Sequence, residues 1–120
     1  LLGLVGSEMC IRDSNCVMDI VNKVDFLSNV EKNGLFFKNQ LNKLCEKYPN
    51  VIAEIRGLGL MIGIKCSVAN NLLANKLYEN GILTVNAADN VIRILPPLNI
   101  TMSEIKKVMS LFEKSIKEIL

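Results

Sequence analysis

Histidine and tryptophan are absent from this chain of 120 residues, and only two tyrosines and four phenylalanines are present. Without histidine the chain cannot supply the imidazole of a Ser-His-Asp triad, a histidine general base or a histidine metal ligand. Paired carboxylates that converge on one predicted face are also absent, so the sequence gives no support to glycosidase-like chemistry.

Closely spaced cysteines and a strong net charge are missing too. The cysteines, Cys10, Cys16, Cys45 and Cys66, include no C-x-x-C pair. Their spacing supports neither a zinc knuckle nor a redox pair, and scattered single cysteines are typical of a reducing cytosol. The net charge is only +2, with lysines and carboxylates interspersed. We therefore expect a cytoplasmic protein that uses neither nucleic acid nor a membrane as a partner.

The first fourteen residues differ from the rest of the chain. They have neither helical nor strand periodicity, and they lack the basic start and the long apolar stretch of a signal peptide. They resemble, residue for residue, a translated reading frame of a sequencing-library adapter. We interpret residues 1–14 as a non-native segment, with a disordered native terminus as the alternative. Residues 15–120 are then expected to be part of a longer protein.

Two helical patterns and two strand-like stretches fill the first half of the remaining chain. An apolar helix end is predicted at 17–21, followed by a helix over 26–48 that Asp25 caps. The buried side of that helix is predicted from three- and four-residue spacing, as Leu27, Val30, Gly34, Phe37, Leu41, Leu44 and Tyr48. Strands are predicted at 51–56 and 57–66, and glycines leave one face of the second strand mostly bare.

The second half repeats the alternation of helix and strands. A helix capped by Ser67 is predicted over 68–79, with a stop at Asn80-Gly81. Strands at 82–86 and 91–95 are joined by a turn and predict a hairpin, and a Thr101/Glu104 capping box begins a helix over 102–119. Because the connections between strands are short, we expect an α+β fold: a small antiparallel or mixed sheet with helices on one face.

Arg93 is the most informative single residue. It lies in the apolar run Val91-Ile92-Arg93-Ile94-Leu95, which two prolines end. Strand alternation places Arg93 on one face with Val91 and Leu95. A guanidinium among apolar residues needs a carboxylate partner, because its planar fork holds a carboxylate by two parallel hydrogen bonds. That carboxylate is either a neighbour, of which Asp89 is nearest in sequence, or part of a ligand.

Arg56 and the glycines that follow it have simpler interpretations. Arg56 is predicted to form a surface or sheet-edge ion pair, with Glu54 as the nearest partner, and a role at a site is the alternative. The run 57–63, GLGLMIG, resembles a dinucleotide-binding fingerprint, but its last spacing is one residue too long and strand-like alternation follows where that motif needs a helix. Tight strand geometry is the interpretation that we favour.

Taken together, four motifs point to a family: IRGLGLMIG at 55–63, NGILTV at 80–85, NVIRILPPL at 90–98, and Thr101 with Glu104-Ile105. In order and spacing they resemble the C-terminal part of class-III pyridoxal-phosphate aminotransferases, and within that class most of all the acetylornithine aminotransferases. The resemblance covers residues 15–120. It implies the C-terminal small domain of a fold-type-I enzyme, in a homodimer that transfers an amino group between an ornithine-type ω-amine and 2-oxoglutarate.

By the same resemblance, Arg93 matches the family arginine that contacts the substrate carboxylate. In ornithine-type relatives that arginine can pair with a glutamate instead, when the ω-amine is to be admitted. The Schiff-base lysine and the other residues that hold pyridoxal 5'-phosphate belong to an upstream large domain, the partner of this one. No other residue here matches a catalytic position, so the chain alone is expected to be inactive.

Two alternatives remain open at this stage. The parent enzyme can be another class-III ω-aminotransferase, such as one acting on ornithine or succinyldiaminopimelate. The chain can also be a free-standing α+β ligand-binding or regulatory module, although such modules of the βαββαβ kind begin with a strand and lack a long leading helix.

Overall fold

The computed structural model describes the backbone of residues 2–120 and the side chains of residues 10–120. The elements there are α1 (Leu2–Val21), α2 (Val24–Lys47), β1 (Ile52–Leu58), β2 (Met61–Cys66), α3 (Asn70–Glu79), β3 (Val85–Ala87), β4 (Val91–Ile94) and α4 (Met102–Lys117). The strands form one antiparallel sheet in the order β1-β2-β4-β3. The α+β class and the small antiparallel sheet are confirmed.

One face of the sheet and three helices enclose a single core. The central strands contribute Ile62, Ile64, Ile92 and Ile94, none of which is more than 5% exposed. The helices cover them with fully buried side chains: Phe37 and Leu41 from α2, Leu73 and Leu77 from α3, and Ile105, Phe112 and Ile116 from α4. This inner face of the sheet is the apolar one that strand alternation predicts.

The predicted boundary between the first two strands was wrong. Gly57 and Leu58 belong to β1, and Gly59-Leu60 form the two-residue turn that leads into β2. The backbone requires glycine at Gly57, where φ is +126 and a Cβ would lie 2.1 Å from the Met61 carbonyl oxygen, and it favours glycine at Gly59, where φ is +56. As a result Leu58 is exposed, whereas Ile62, Ile64 and Cys66 are buried.

Helix α2 approaches this turn closely at Gly34. A Cβ on Gly34 would lie 2.5 Å from the Gly59 carbonyl oxygen, so only glycine permits the contact. Of the predicted buried side of α2, Gly34, Phe37, Leu41 and Leu44 are buried, but Leu27 is 49% exposed. The N-terminal end of α2 therefore extends beyond the core.

Both predicted side-chain caps, Asp25 and Ser67, were wrong. Helix α2 begins at Val24, so Asp25 lies inside its first turn, where its charge complements the helix dipole. Helix α3 begins at Asn70, and the Ser67 hydroxyl donates to the Pro49 carbonyl oxygen instead, at 2.7 Å. The Thr101/Glu104 capping box at the start of α4 is confirmed. Gly81 takes a positive φ of 84° after α3, as predicted.

Helix α1 extends the apolar helix end predicted at 17–21 back to Leu2. Residues 2–14, which show no helical periodicity in the sequence, are therefore part of a helix. That segment contains no proline, so nothing interrupts its backbone hydrogen bonds. The side chains of residues 10–20 are all exposed. No helix among the described residues has the length and apolar character needed to cross a membrane.

Candidate functional site

Strand β4 turns Arg93 away from the core. Its neighbours Ile92 and Ile94 are buried on the inner face, whereas Arg93 and Leu95 are exposed and Val91 is half-buried. The alternation predicted from the sequence is confirmed. Arg93 therefore projects from the outer face of the sheet, opposite the helices that cover the inner face.

The register places a second arginine in the same row across the sheet. Arg93 lies opposite Gly63 of β2, and Gly63 lies opposite Arg56 of β1, while Val85 of β3 flanks Arg93 on the other side. Neighbouring strands are about 4.8 Å apart, so the two arginine backbones are roughly 10 Å from each other. Because Gly63 has no side chain, a bare strip lies between the backbones of the two arginines.

Arg56 is neutralised by carboxylates on this face. Its guanidinium pairs with Glu54 at 2.9 Å, as the sequence predicted, and with Asp89 at 3.5 Å. Asp89 also accepts a hydrogen bond of 2.6 Å from the Lys65 ammonium, and this bond is the main reason why the pKa of Asp89 lies below its ordinary value. The hydrogen bond from Arg56 lowers the pKa of Glu54 in the same way.

Arg93 differs from Arg56 in this respect. Among the described side chains, no carboxylate lies within ion-pair distance of its guanidinium. The neighbour expected for a purely structural pair, Asp89, is bound by Lys65 and Arg56 instead. The outer face thus contains a paired arginine and an unpaired one, separated by the width of one glycine.

An asparagine network that the sequence interpretation missed fixes the hairpin carrying Arg93. Asn90 takes φ 57°, and its Oδ1 accepts the backbone N–H of Asn70 at 2.8 Å, which caps α3 in place of Ser67. The amide groups of both residues donate to backbone carbonyls at 2.7–3.3 Å: Asn90 to Cys66 and Val68, and Asn70 to Ala87 and Val91. The available signal was the turn pair Asp89-Asn90, since both residue types tolerate left-handed backbone.

A cavity near the end of β4 does not suit a charged ligand. It has a volume of about 260 Å³ and only uncharged residues line it: Phe37, Gly81, Ile82, Leu83, Ile94, Leu95, Pro96, Pro97, Ile100 and Val108. A carboxylate placed there would lose its hydration without gaining a charged partner. The outer face around Arg93 is the better candidate for binding an anion.

Four lysines of the described region have partners that do not fit a Schiff-base role for pyridoxal phosphate. A Schiff-base lysine needs a neutral amine, hence a lowered pKa. Hydrogen bonds to Glu113 and Glu79 instead raise the pKa values of Lys47 and Lys76, respectively. Lys65 is held by Asp89, and Lys38 donates to the Gly57 carbonyl oxygen. These four lysines do not fit the cofactor, and we derive no catalytic step through it.

Comparisons with known proteins identify the family of the chain. The family model described as aminotransferase class-III matches residues 9–116, and so begins inside the segment 1–14 interpreted as non-native. A protein named acetylornithine aminotransferase from Brucella melitensis biotype 1 is 39% identical over 114 residues, which are 95% of this chain and 28% of that protein. The chain therefore spans little more than a quarter of the length of this curated relative.

Solved structures of aminotransferases also match most of this chain and about a quarter of their own length. The crystal structure of acetylornithine aminotransferase from Elizabethkingia anophelis is 32% identical, with a TM-score of 0.76, and the match covers 84% of this chain and 27% of that one. An ornithine aminotransferase from Plasmodium yoelii is 29% identical, with a TM-score of 0.71 over 78% of this chain and 25% of that one. By its family match, its sequence and its fold, the chain belongs to the class-III aminotransferases.

Proposed function

We propose that this chain is the C-terminal small domain of a pyridoxal-phosphate-dependent enzyme that transfers an amino group between N-acetylornithine and 2-oxoglutarate, in arginine biosynthesis. Within it, Arg93 binds a substrate carboxylate. The observation that carries this role is the unpaired Arg93 guanidinium on the outer face of the sheet, next to the bare strip at Gly63. The names of the relatives in Brucella and Elizabethkingia support the choice of substrate.

The role of Arg93 is to hold and orient the substrate. Its fork donates two parallel hydrogen bonds to a carboxylate, which fixes the direction of the bound molecule as well as its charge. The Asn70–Asn90 network and the pairing of β4 between β2 and β3 keep the backbone under Arg93 rigid. Correct orientation contributes to rate because the reacting atoms meet in a productive geometry.

The remaining parts of the enzyme are proposed to lie in the longer parent protein. Pyridoxal phosphate, when bound there, supplies the electron sink for amino transfer. The parent contributes the large domain and a second subunit of a homodimer, and the complete protein acts on amino acid and 2-oxo acid substrates in the cytoplasm. Residues 15–120 alone are proposed to be inactive.

A hybrid enzyme tests this function. In it, residues 15–120 of this chain replace the matching segment of the Brucella melitensis relative. We expect the hybrid with pyridoxal phosphate to form glutamate from N-acetylornithine and 2-oxoglutarate, and the 120-residue chain with the same additions to form none. Turnover by the chain alone would overturn the proposed division of labour. A hybrid that binds pyridoxal phosphate but transfers no amino group would overturn the function.

The same hybrid decides between substrates when it is offered N-acetylornithine, ornithine and succinyldiaminopimelate in parallel. The unmodified Brucella melitensis relative is the control, since it shows the preference of the same large domain joined to its own small domain. A change in preference that follows residues 15–120 would assign this chain to another ω-aminotransferase of the class. An unchanged preference for N-acetylornithine is the expected result.

A further inference from the structure

Asp89 is the carboxylate best placed to compete with a substrate for Arg93. It lies in the turn that leads directly into β4, four residues before Arg93 in the sequence. The Arg56 guanidinium lies 3.5 Å from the Asp89 carboxylate. Arg56 belongs to the same cross-strand row as Arg93, two strands away on β1. The Asp89 carboxylate therefore lies within reach of an arginine side chain that starts from that row.

Two cations hold Asp89 where it is. The Lys65 ammonium contacts one carboxylate oxygen at 2.6 Å, and the Arg56 guanidinium contacts the other at 3.5 Å. Lys65 of β2 lies opposite Val91 of β4. It therefore lies between the turn that carries Asp89 and the bare strip at Gly63, which is next to Arg93. Both oxygens of Asp89 are thus engaged by residues other than Arg93, and the lowered pKa of Asp89 agrees with this pairing.

Without those two cations, an unpaired carboxylate and an unpaired guanidinium would share one exposed face. The attraction between them would be intramolecular, so a substrate would have to displace Asp89 before it could bind. We propose that Arg56 and Lys65 are positioning residues, which bind Asp89 and thereby keep Arg93 available to the substrate carboxylate. This inference rests on the proposed role of Arg93.

A rescue experiment in the hybrid enzyme tests the inference. The double substitution Arg56→Gln with Lys65→Met releases Asp89, and we expect KM for 2-oxoglutarate to rise about two- to fivefold, the range that an exposed ion pair supplies, with little change in kcat. Adding Asp89→Asn should restore KM, since asparagine tolerates the φ of 61° at this position and carries no charge. Asp89→Asn alone should change KM less than twofold.

Glu54 provides the matched control. It loses its partner Arg56 in the same double variant, but it lies on the edge strand β1, two strands away from Arg93. Adding Glu54→Gln in place of Asp89→Asn should leave KM raised. If Glu54→Gln, added to the double variant without Asp89→Asn, restored KM, the inference would be overturned. A double variant with unchanged KM would also overturn it.

A second measurement does not depend on catalysis. In the 120-residue chain, the Asp89 carboxyl can be titrated by carbon-13 NMR with and without Arg93→Met. We expect no effect of Arg93→Met in the otherwise unchanged chain, and a higher Asp89 pKa on removing Arg93 from the double variant, because Arg93 then holds the carboxylate. Absence of this coupling would overturn the inference and leave the proposed function intact. Failure of the proposed function would be recognised separately, by an Arg93→Lys hybrid with unaltered kinetics.

Discussion

The two faces of the sheet differ in burial and in charge. On the inner face, Ile62, Ile64, Ile92 and Ile94 are packed under three helices and are almost completely buried. On the outer face, the equivalent row contains Arg56, Gly63 and Arg93, and its charges are exposed. Because β4 supplies residues to both faces in alternation, adjacent residues have different tasks. The inner face stabilises the fold, and the outer face presents the candidate site.

Truncating the inner face is expected to have the largest effect. Ile92→Ala removes a fully buried side chain from the central strand β4 and should lower the free energy of unfolding by about 2–5 kcal/mol. The matched outer-face control, Val91→Ala, should lower it by less than about 1 kcal/mol, since Val91 is only half-buried. Urea denaturation of the 120-residue chain measures both. Equal losses would contradict the assignment of stability to the inner face.

Substitutions of the outer-face arginines are expected to change kcat/KM of the hybrid enzyme to different extents. In the hybrid enzyme, Arg93→Lys should reduce kcat/KM for 2-oxoglutarate about 10- to 100-fold, the loss expected for a charge-assisted double hydrogen bond, because lysine has no fork. Arg56→Lys keeps the charge that holds Asp89 and should reduce kcat/KM less than threefold. Cofactor absorbance should be unchanged in both variants. If the two substitutions have the same effect, the distinction between the paired and the unpaired arginine is wrong.

The two glycine contacts should also differ. A Cβ on Gly34 would lie 2.5 Å from the backbone oxygen of Gly59, so Gly34→Ala forces α2 away from the hairpin turn and should destabilise the chain by about 1–3 kcal/mol. A Cβ on Gly63 meets only the Cγ1 methyl of Val91, at the ordinary van der Waals distance of 3.4 Å, so Gly63→Ala should change stability by less than about 0.5 kcal/mol. Thermal melts of both variants check this. A larger loss for Gly63→Ala would mean that the outer face is packed.

Acid should act on charged surface contacts and leave the inner face intact. Glu113 of α4 accepts hydrogen bonds from Lys47 and Tyr48 at 2.6 and 2.9 Å, which lower its pKa to about 2. A carboxyl with a depressed pKa contributes stability above its ordinary value of 4.5, and this stability is lost as pH falls toward 2. The loss should be about 1 kcal/mol or less, because the pair is exposed. Glu113→Gln should flatten the pH dependence of unfolding between 4.5 and 2, and an unchanged slope would contradict the pairing.

The inner face was predictable from the sequence because alternation and helical spacing are local signals. The four isoleucines of β2 and β4, the capping box at Thr101 and the orientation of Arg93 all follow from such patterns. The cap of α3 and the β1–β2 turn did not, because they involve long-range contacts. Asn90 caps α3 from 20 residues away, and Gly34 meets Gly59 across the helix–sheet interface.

The same reason limited the prediction of the site. Arg56 and Glu54 lie two residues apart in the sequence, and their ion pair was predicted. The ion pairs of Asp89 with Lys65 and Arg56 depend on the strand order β1-β2-β4-β3, which brings residues distant in the sequence together. Sequence distance alone favours Asp89 as the partner of Arg93. The sheet brings Lys65 to that carboxylate instead, and so leaves Arg93 unpaired.

A crystal structure of the hybrid enzyme with glutarate bound tests the central claim most directly. Glutarate carries the two carboxylates of 2-oxoglutarate but no oxo group, so it can bind without reacting. We expect Arg93 to hold one carboxylate by two N–H···O bonds of about 2.7–2.9 Å, while Asp89 stays on Lys65 and Arg56. Glutarate bound with both carboxylates on other residues, and Arg93 directed into solvent or paired with Asp89, would contradict the account.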